Sequence, residues 1–144
     1  MQTLHIVLGV AVLLANLAAF ALGGWAWIRR TPSAAFWYLL RGAQAAVVAQ
    51  VAVGGILVLA GGEPASDLHY VYGLLPLVVT LLAEGMRAGA AERELTGLDF
   101  GSLPGERQRA LALAIVRRET GIMAVSSGLI LFLALRAAGT TPLL

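Results

Sequence analysis

The chain contains no cysteine, which excludes disulfides, thiolate metal sites and covalent c-type haem attachment. It also contains no lysine, so every fixed positive charge is an arginine. Charge of either sign is scarce. Only 12% of the 144 residues are Asp, Glu, Lys or Arg, about half the usual share of a soluble domain, while 59% are apolar. The net charge of +2 is small, and the arginines are not gathered into a nucleic-acid-binding patch. Histidine occurs twice, as His5 and His69.

What is present is long apolar runs. A membrane-crossing helix needs ~20 mostly apolar residues. Four such runs, at about 4–28, 34–60, 68–88 and 106–138, use up the chain and leave no room for a separate soluble domain. The expectation is an all-α integral membrane protein: a single domain over 1–144, folded as an antiparallel up-down four-helix bundle.

The first run outlasts the ~7–15-residue core of a signal peptide. Arg29 and Arg30 follow it rather than precede it, the polarity of a helix inserted with its N-terminus outward. The stretch Gly23-Gly24-Trp25-Ala26 leaves a cleavage reading open. Trp25 and Trp27 close this run, and Phe36, Trp37 and Tyr38 open the next. Both clusters suit the headgroup level. Pro32 cannot continue a helix, and Ser33 can cap the one that follows. Gly61-Gly62 ends the second run. Pro76 lies inside the third and is expected to bend it. Thr96–Gly105 reads as loop. Residues 106–137 read as one helix, ~48 Å long, whose first third projects from the membrane.

Counting arginines sets the orientation. With the first loop and residues 87–118 on one face, that face holds Arg29, Arg30, Arg41, Arg87, Arg93, Arg107, Arg109, Arg117 and Arg118, and the other only Arg136. The positive-inside rule then makes loops 29–33 and 87–118 cytoplasmic and puts both termini and the acidic loop Gly61–Asp67 outside. The cell membrane is the expected location.

This topology brings the two histidines together. Each opens an odd-numbered helix, so both imidazoles fall near the outer face. Each is followed four residues later by glycine, as His5-Ile-Val-Leu-Gly9 and His69-Tyr-Val-Tyr-Gly73. Positions i and i+4 share a helix face, so the glycine clears the space beneath each ring. A macrocycle held between two axial histidines needs that clearance, and imidazoles on different helices are a usual ligand set for b-type haem. The expected site is therefore His5 and His69 as iron ligands, with Gly9 and Gly73 making room for haem b. Two other readings stay open. The histidines can be polar residues at the headgroup level, with the glycines serving helix packing. Or His5, His69 and Met1 can form a soft metal site.

A deeper polar set comprises Asn16, Gln50, Thr80, Ser126 and Ser127, ~16 Å below the outer face. Its favoured role is interhelical hydrogen bonding that fixes the bundle, and its other is a polar lining below a cofactor. Glu84, near the inner face, is expected to pair with Arg87 or Arg41, and a membrane carboxylate is also a candidate proton carrier. Gly54-Gly55 and Gly128 read as close helix contacts. The Arg107–Arg118 entry to the fourth run reads as a solvated amphipathic extension that could bind anionic lipid or a partner.

Residues 1–75, about half the chain, resemble one four-helix half of the haem A synthase family. The features that carry the resemblance are His5, the Arg29-Arg30 turn, the run Gln50-Val51-Ala52-Val53-Gly54-Gly55-Ile56-Leu57-Val58-Leu59, then Pro64 and His69. The resemblance implies that His5 and His69 ligate a b-type haem near the outer face. Members of that family have two such halves and a glutamate shortly before the first histidine. Here one half is present, and Met1, Gln2, Thr3 and Leu4 precede His5 without a carboxylate. Synthase activity is therefore not carried over, and no independent catalytic activity is expected. The leading expectation is a haem b protein for electron transfer or haem handling, working as a homodimer or within a larger respiratory complex. The alternative is a non-catalytic accessory or assembly subunit without cofactor. The bilayer is the expected partner; nucleic acid is not.

Overall fold

The structure, a computed structural model, describes residues 1–64 and 66–140. The expected outward placement of the chain's C-terminus falls on 141–144, outside the described residues. The described chain is all-helical. Four long helices, α1 (Gln2–Arg29), α2 (Ala34–Leu59), α3 (Leu68–Leu95) and α4 (Gly105–Ala138), are joined by short connections, the last containing a 3-10 turn at Phe100–Ser102. All four are long and apolar enough to cross a membrane.

The helix ends follow local chemistry. α1 stops where Arg30 adopts a left-handed conformation (φ 57°) and its N–H, like that of Thr31, donates back to carbonyls of the last turn. Ser33 caps α2, its hydroxyl accepting from the Phe36 N–H at 3.2 Å. Gly61 supplies the positive φ (84°) that turns the chain after α2. Pro76 is accommodated within α3, which continues unbroken to Leu95 rather than ending near residue 88. Residues 90–95, Ala-Ala-Glu-Arg-Glu-Leu, are good helix formers, and Arg118 on α4 pairs with Glu94.

α1 packs along α2 and α4, and α3 packs along α4, while α2 and α3 meet over much less of their length. Two apolar clusters fill the interior. One gathers Ala19, Phe36, Leu40, Ala83 and Met123 from all four helices. The other gathers Val12, Val47 and Ile130, with Leu77 and Val79 against it. Small residues let the backbones approach. Gly23 faces the Phe36 ring, Gly128 the Phe20 ring and Gly121 the Trp27 ring, each so closely that a methyl group would overlap. The outward faces are apolar too: Leu14, Ile28, Leu59, Leu81 and Leu82 are all more than 60% exposed, as lipid contact requires.

The deeper polar residues behave differently from the expectation. Asn16, Thr80, Ser126 and Ser127 donate to the carbonyls of Val12, Pro76, Ile122 and Met123, each four residues back on its own helix. Such back-bonding satisfies a short polar side chain without a partner helix. Of the expected interhelical set only Gln50 reaches another helix, and it reaches His5. The helix-joining polar network lies elsewhere, around Glu84. Its carboxylate accepts from Arg41 and Gln44 of α2 and from Arg87 of α3. Arg87 also pairs with Glu119 of α4.

Candidate functional site

His5 lies in the opening turn of α1 and His69 in that of α3. The bundle brings the two rings together, with centroids 6.1 Å apart and planes tilted by 55°. All four helices contribute. α2 adds Gln50 and Gly54, and the end of α4 adds the Ala137 carbonyl, with Thr140 just beyond it.

His69 has a defined tautomer. Its Nδ1 is 3.1 Å from the Ala137 carbonyl oxygen. A carbonyl only accepts, so Nδ1 carries the proton and Nε2 keeps its lone pair. The Thr140 hydroxyl donates to the same carbonyl at 2.6 Å and lies 3.2 Å from Nδ1. This is the support that metal-ligating histidines receive. The ring is oriented by a backbone carbonyl, and the opposite nitrogen is left to bind.

His5 is held less completely. Its Nε2 lies 3.2 Å from the Gln50 amide nitrogen. His5 Nδ1 and Gln50 Oε1 are both buried without a hydrogen-bond partner. Turning the amide over would exchange the roles of its two ends but still leave one His5 nitrogen unsatisfied. A buried polar atom without a partner costs ~1–3 kcal/mol, so the cluster is not closed on itself.

The glycines divide into two groups. A Cβ on Gly54 would stand 3.1 Å from His5 Cε1, so this glycine lets the ring lie against α2. A Cβ on Gly9 would meet Gln50 Nε2 at 3.3 Å, so the clearance beneath His5 is taken by the Gln50 amide. Beside Gly73 a Cβ would meet nothing within 4 Å, and the space beneath His69 is open. Gly55 likewise faces open space. Arg136 sits over the Tyr72 ring at 5.6 Å, at the same end of the bundle.

Sequence reasoning placed Gln50 deeper, by counting back from the end of α2. It missed that α2 runs past His5, which sets Gln50 and Gly54 beside the ring. The Gln-x-x-x-Gly spacing was the available signal, since i and i+4 share one helix face. Nothing in the sequence marked Ala137, because it acts through its backbone.

Among the described residues no group of three or more His, Cys, Asp or Glu side chains could hold a metal ion. The two histidines offer at most two imidazole nitrogens to an ion, which would have to bring the rest of its coordination sphere. Compared with family models, characterised proteins and solved structures, the chain matches none.

Proposed function

We propose that this is a multi-pass membrane protein of the cell membrane that binds one haem b between His5 and His69. The bundle runs antiparallel up and down, with the histidine end outside and the arginine-bearing connections 29–33 and 87–118 in the cytoplasm. The nine-to-one division of arginines supports that orientation.

The observation that carries the reading is the histidine pair itself. A metal ~2 Å from one nitrogen of each imidazole sets two opposed ring centroids about 6 Å apart, and the rings here are 6.1 Å apart. Two protein ligands suit a metal that arrives with four others, as haem iron does. The free Nε2 of His69, the unsatisfied nitrogen of His5 and the open space beside Gly73 fit such a group. The sparse contact between α2 and α3 leaves that side of the bundle the least closed. A bound haem would require the Gln50 amide to leave the space above Gly9.

In this reading His5 and His69 would hold the haem iron. The Ala137 carbonyl, accepting from His69 Nδ1–H, makes that imidazole a stronger donor. Gly9 and Gly73 give the clearance, and the apolar helices exclude water. Bound haem supplies one-electron transfer, so the protein passes electrons or handles haem at the outer face, as a homodimer or within a larger membrane complex. The resemblance to half of a haem A synthase agrees with the scaffold and not with the catalysis.

The test is optical. Protein purified from haem-supplied cells is expected to show a Soret band that His5→Ala and His69→Ala each remove. A colourless wild-type protein defeats the reading. A second reading, an accessory subunit without cofactor, is favoured by one observation: Gln50 already fills the Gly9 clearance and touches His5. A stable complex in detergent, unaffected by both histidine substitutions, would support it.

A further inference from the structure

The end of the bundle away from the histidines carries a second feature. Where α1 turns into α2, a shallow notch opens against α4, bordered by Arg30, Thr31 and Arg117 on its polar side and by Ala26, Pro32 and Val116 on its apolar side. The backbone fixes the turn. Arg30 is in the left-handed region, and its N–H and that of Thr31 donate to the carbonyls of Trp27 and Ala26. Arg30, from the turn, and Arg117, from α4, border the same notch.

Three acids at this end hold arginines. Glu84 takes Arg41 and Arg87, Glu119 takes Arg87, and Glu94 takes Arg118. Among the described residues Arg30 and Arg117, like Arg29, Arg93, Arg107 and Arg109, take part in no ion pair, but these two border the same notch. Arg30, Thr31 and Arg117 thus border one notch that no carboxylate lines, with room for about one water molecule (≈ 10 Å³), so an anion held there sits at its mouth. Two unpaired cations side by side repel, and an anion that accepts from both relieves this. A phosphate oxygen set matches the guanidinium fork.

The apolar surroundings say what carries the phosphate. Leu113 of α4, which borders the notch, is 45% exposed, and Ala26 of α1 and Val116 of α4 add apolar lining. A ligand with an anionic head and a hydrocarbon body meets both. We infer that this notch seats the headgroup phosphate of an anionic phospholipid of the leaflet at this end, its acyl chains lying along α1 and α4. Arg30 and Arg117 bind the phosphate, Thr31 donates to it, and Trp25 and Trp27 lie at headgroup level beside it.

The experiment is native mass spectrometry of the full chain in detergent micelles, with phosphatidylglycerol, phosphatidylcholine or inorganic phosphate added in separate arms. Wild type is expected to retain phosphatidylglycerol well above phosphatidylcholine, and inorganic phosphate is expected not to compete at millimolar concentration. Each charge removed, as Arg30→Gln or Arg117→Gln, should lower phosphatidylglycerol retention about fivefold, while Arg136→Gln at the opposite end should not. Arg30→Lys with Arg117→Lys keeps the charge and should keep most of the retention, which covers the case in which the glutamine variants fail to fold. Equal retention of the two lipids, full retention by Arg30→Gln/Arg117→Gln, or displacement by inorganic phosphate overturns the proposal.

Discussion

Replacing Gly23 by alanine tests the packing that positions every other element. A Cβ at that position stands 2.4 Å from Phe36 Cε2, 2.9 Å from Cδ2 and 3.0 Å from the Ala124 Cβ. Carbon atoms rest ~3.5–4.0 Å apart, so the closest overlap is about 1 Å. The Phe36 ring has nowhere to retreat. It is fully buried, packs on Trp37 at 5.2 Å between centroids, and belongs to the cluster with Ala19, Leu40, Ala83 and Met123. Ala124 closes the other side, so the helices must part, at a cost of about 1–3 kcal/mol. Gly24 is the internal control. A Cβ there meets nothing within 4 Å, and alanine should be neutral or gain up to ~1 kcal/mol from helix propensity. Reversible unfolding in mixed micelles, with SDS as denaturant and circular dichroism as signal, should separate the two alanine variants by about 1–4 kcal/mol. If Gly23→Ala unfolds at the same SDS fraction as Gly24→Ala, the close approach of α1 to α2 and α4 is wrong.

Three further perturbations address other parts of the molecule. Gly54→Ala places a methyl carbon 3.1 Å from His5 Cε1 and must tilt the ring, whereas Gly55→Ala meets open space; haem per protein after purification is expected to fall in the first variant and hold in the second. Glu84→Gln weakens the contacts of Arg41, Gln44 and Arg87 at once and should cost roughly 1–3 kcal/mol in the same micelle assay. Glu94→Gln, whose partner Arg118 is 53% exposed, should cost under ~1 kcal/mol. Because the chain has no cysteine, single cysteines report sidedness cleanly. Glu63→Cys should react with an impermeant maleimide on intact cells, and Ser102→Cys only after permeabilisation; the reverse pattern would falsify the orientation.

The four helices were legible because a membrane span is announced by composition alone. Long, mostly apolar runs leave little choice, and Ser33, Gly61 and the arginine turns mark their ends. Less legible was the stretch 89–95, where alternating acids and bases read equally as loop or solvated helix until α4 supplies Arg118 as partner. The polar residues in the spans misled for a specific reason. Ser, Thr and Asn can satisfy themselves on the carbonyl four residues back, so polarity at similar depth on several helices does not entail contact between them. The two histidines were legible as a pair through topology alone. Their surroundings were not, since the group that orients His69 is a backbone carbonyl and Gln50 depends on how far α2 overruns α1.

That difference between the two rings bears on what the site can bind. His69 is oriented by the Ala137 carbonyl, while His5 is shared with Gln50, so under the proposed reading only one ring is held ready for a ligand. A bare divalent ion would gain two imidazole nitrogens and lack the two or more ligands that Zn(II) or Cu(II) sites require, and among the described residues no carboxylate or thiolate stands by to complete them. A macrocycle supplies four nitrogens of its own and needs only the axial pair. Purified apo-protein is therefore expected to take up haemin, developing a bis-histidine spectrum at one equivalent. Loaded with Zn(II) or Cu(II), it should emerge from gel filtration with well under one ion per chain. Gln50→Leu removes the hydrogen bond to His5 and should change the rate of haemin uptake without abolishing the final spectrum, because under the proposed reading Gln50 would stand in the way of the ligand rather than hold it. Stoichiometric retention of a bare ion, lost in His5→Ala, would mean that the site completes its own coordination sphere, and the macrocycle would no longer be needed to explain the pair.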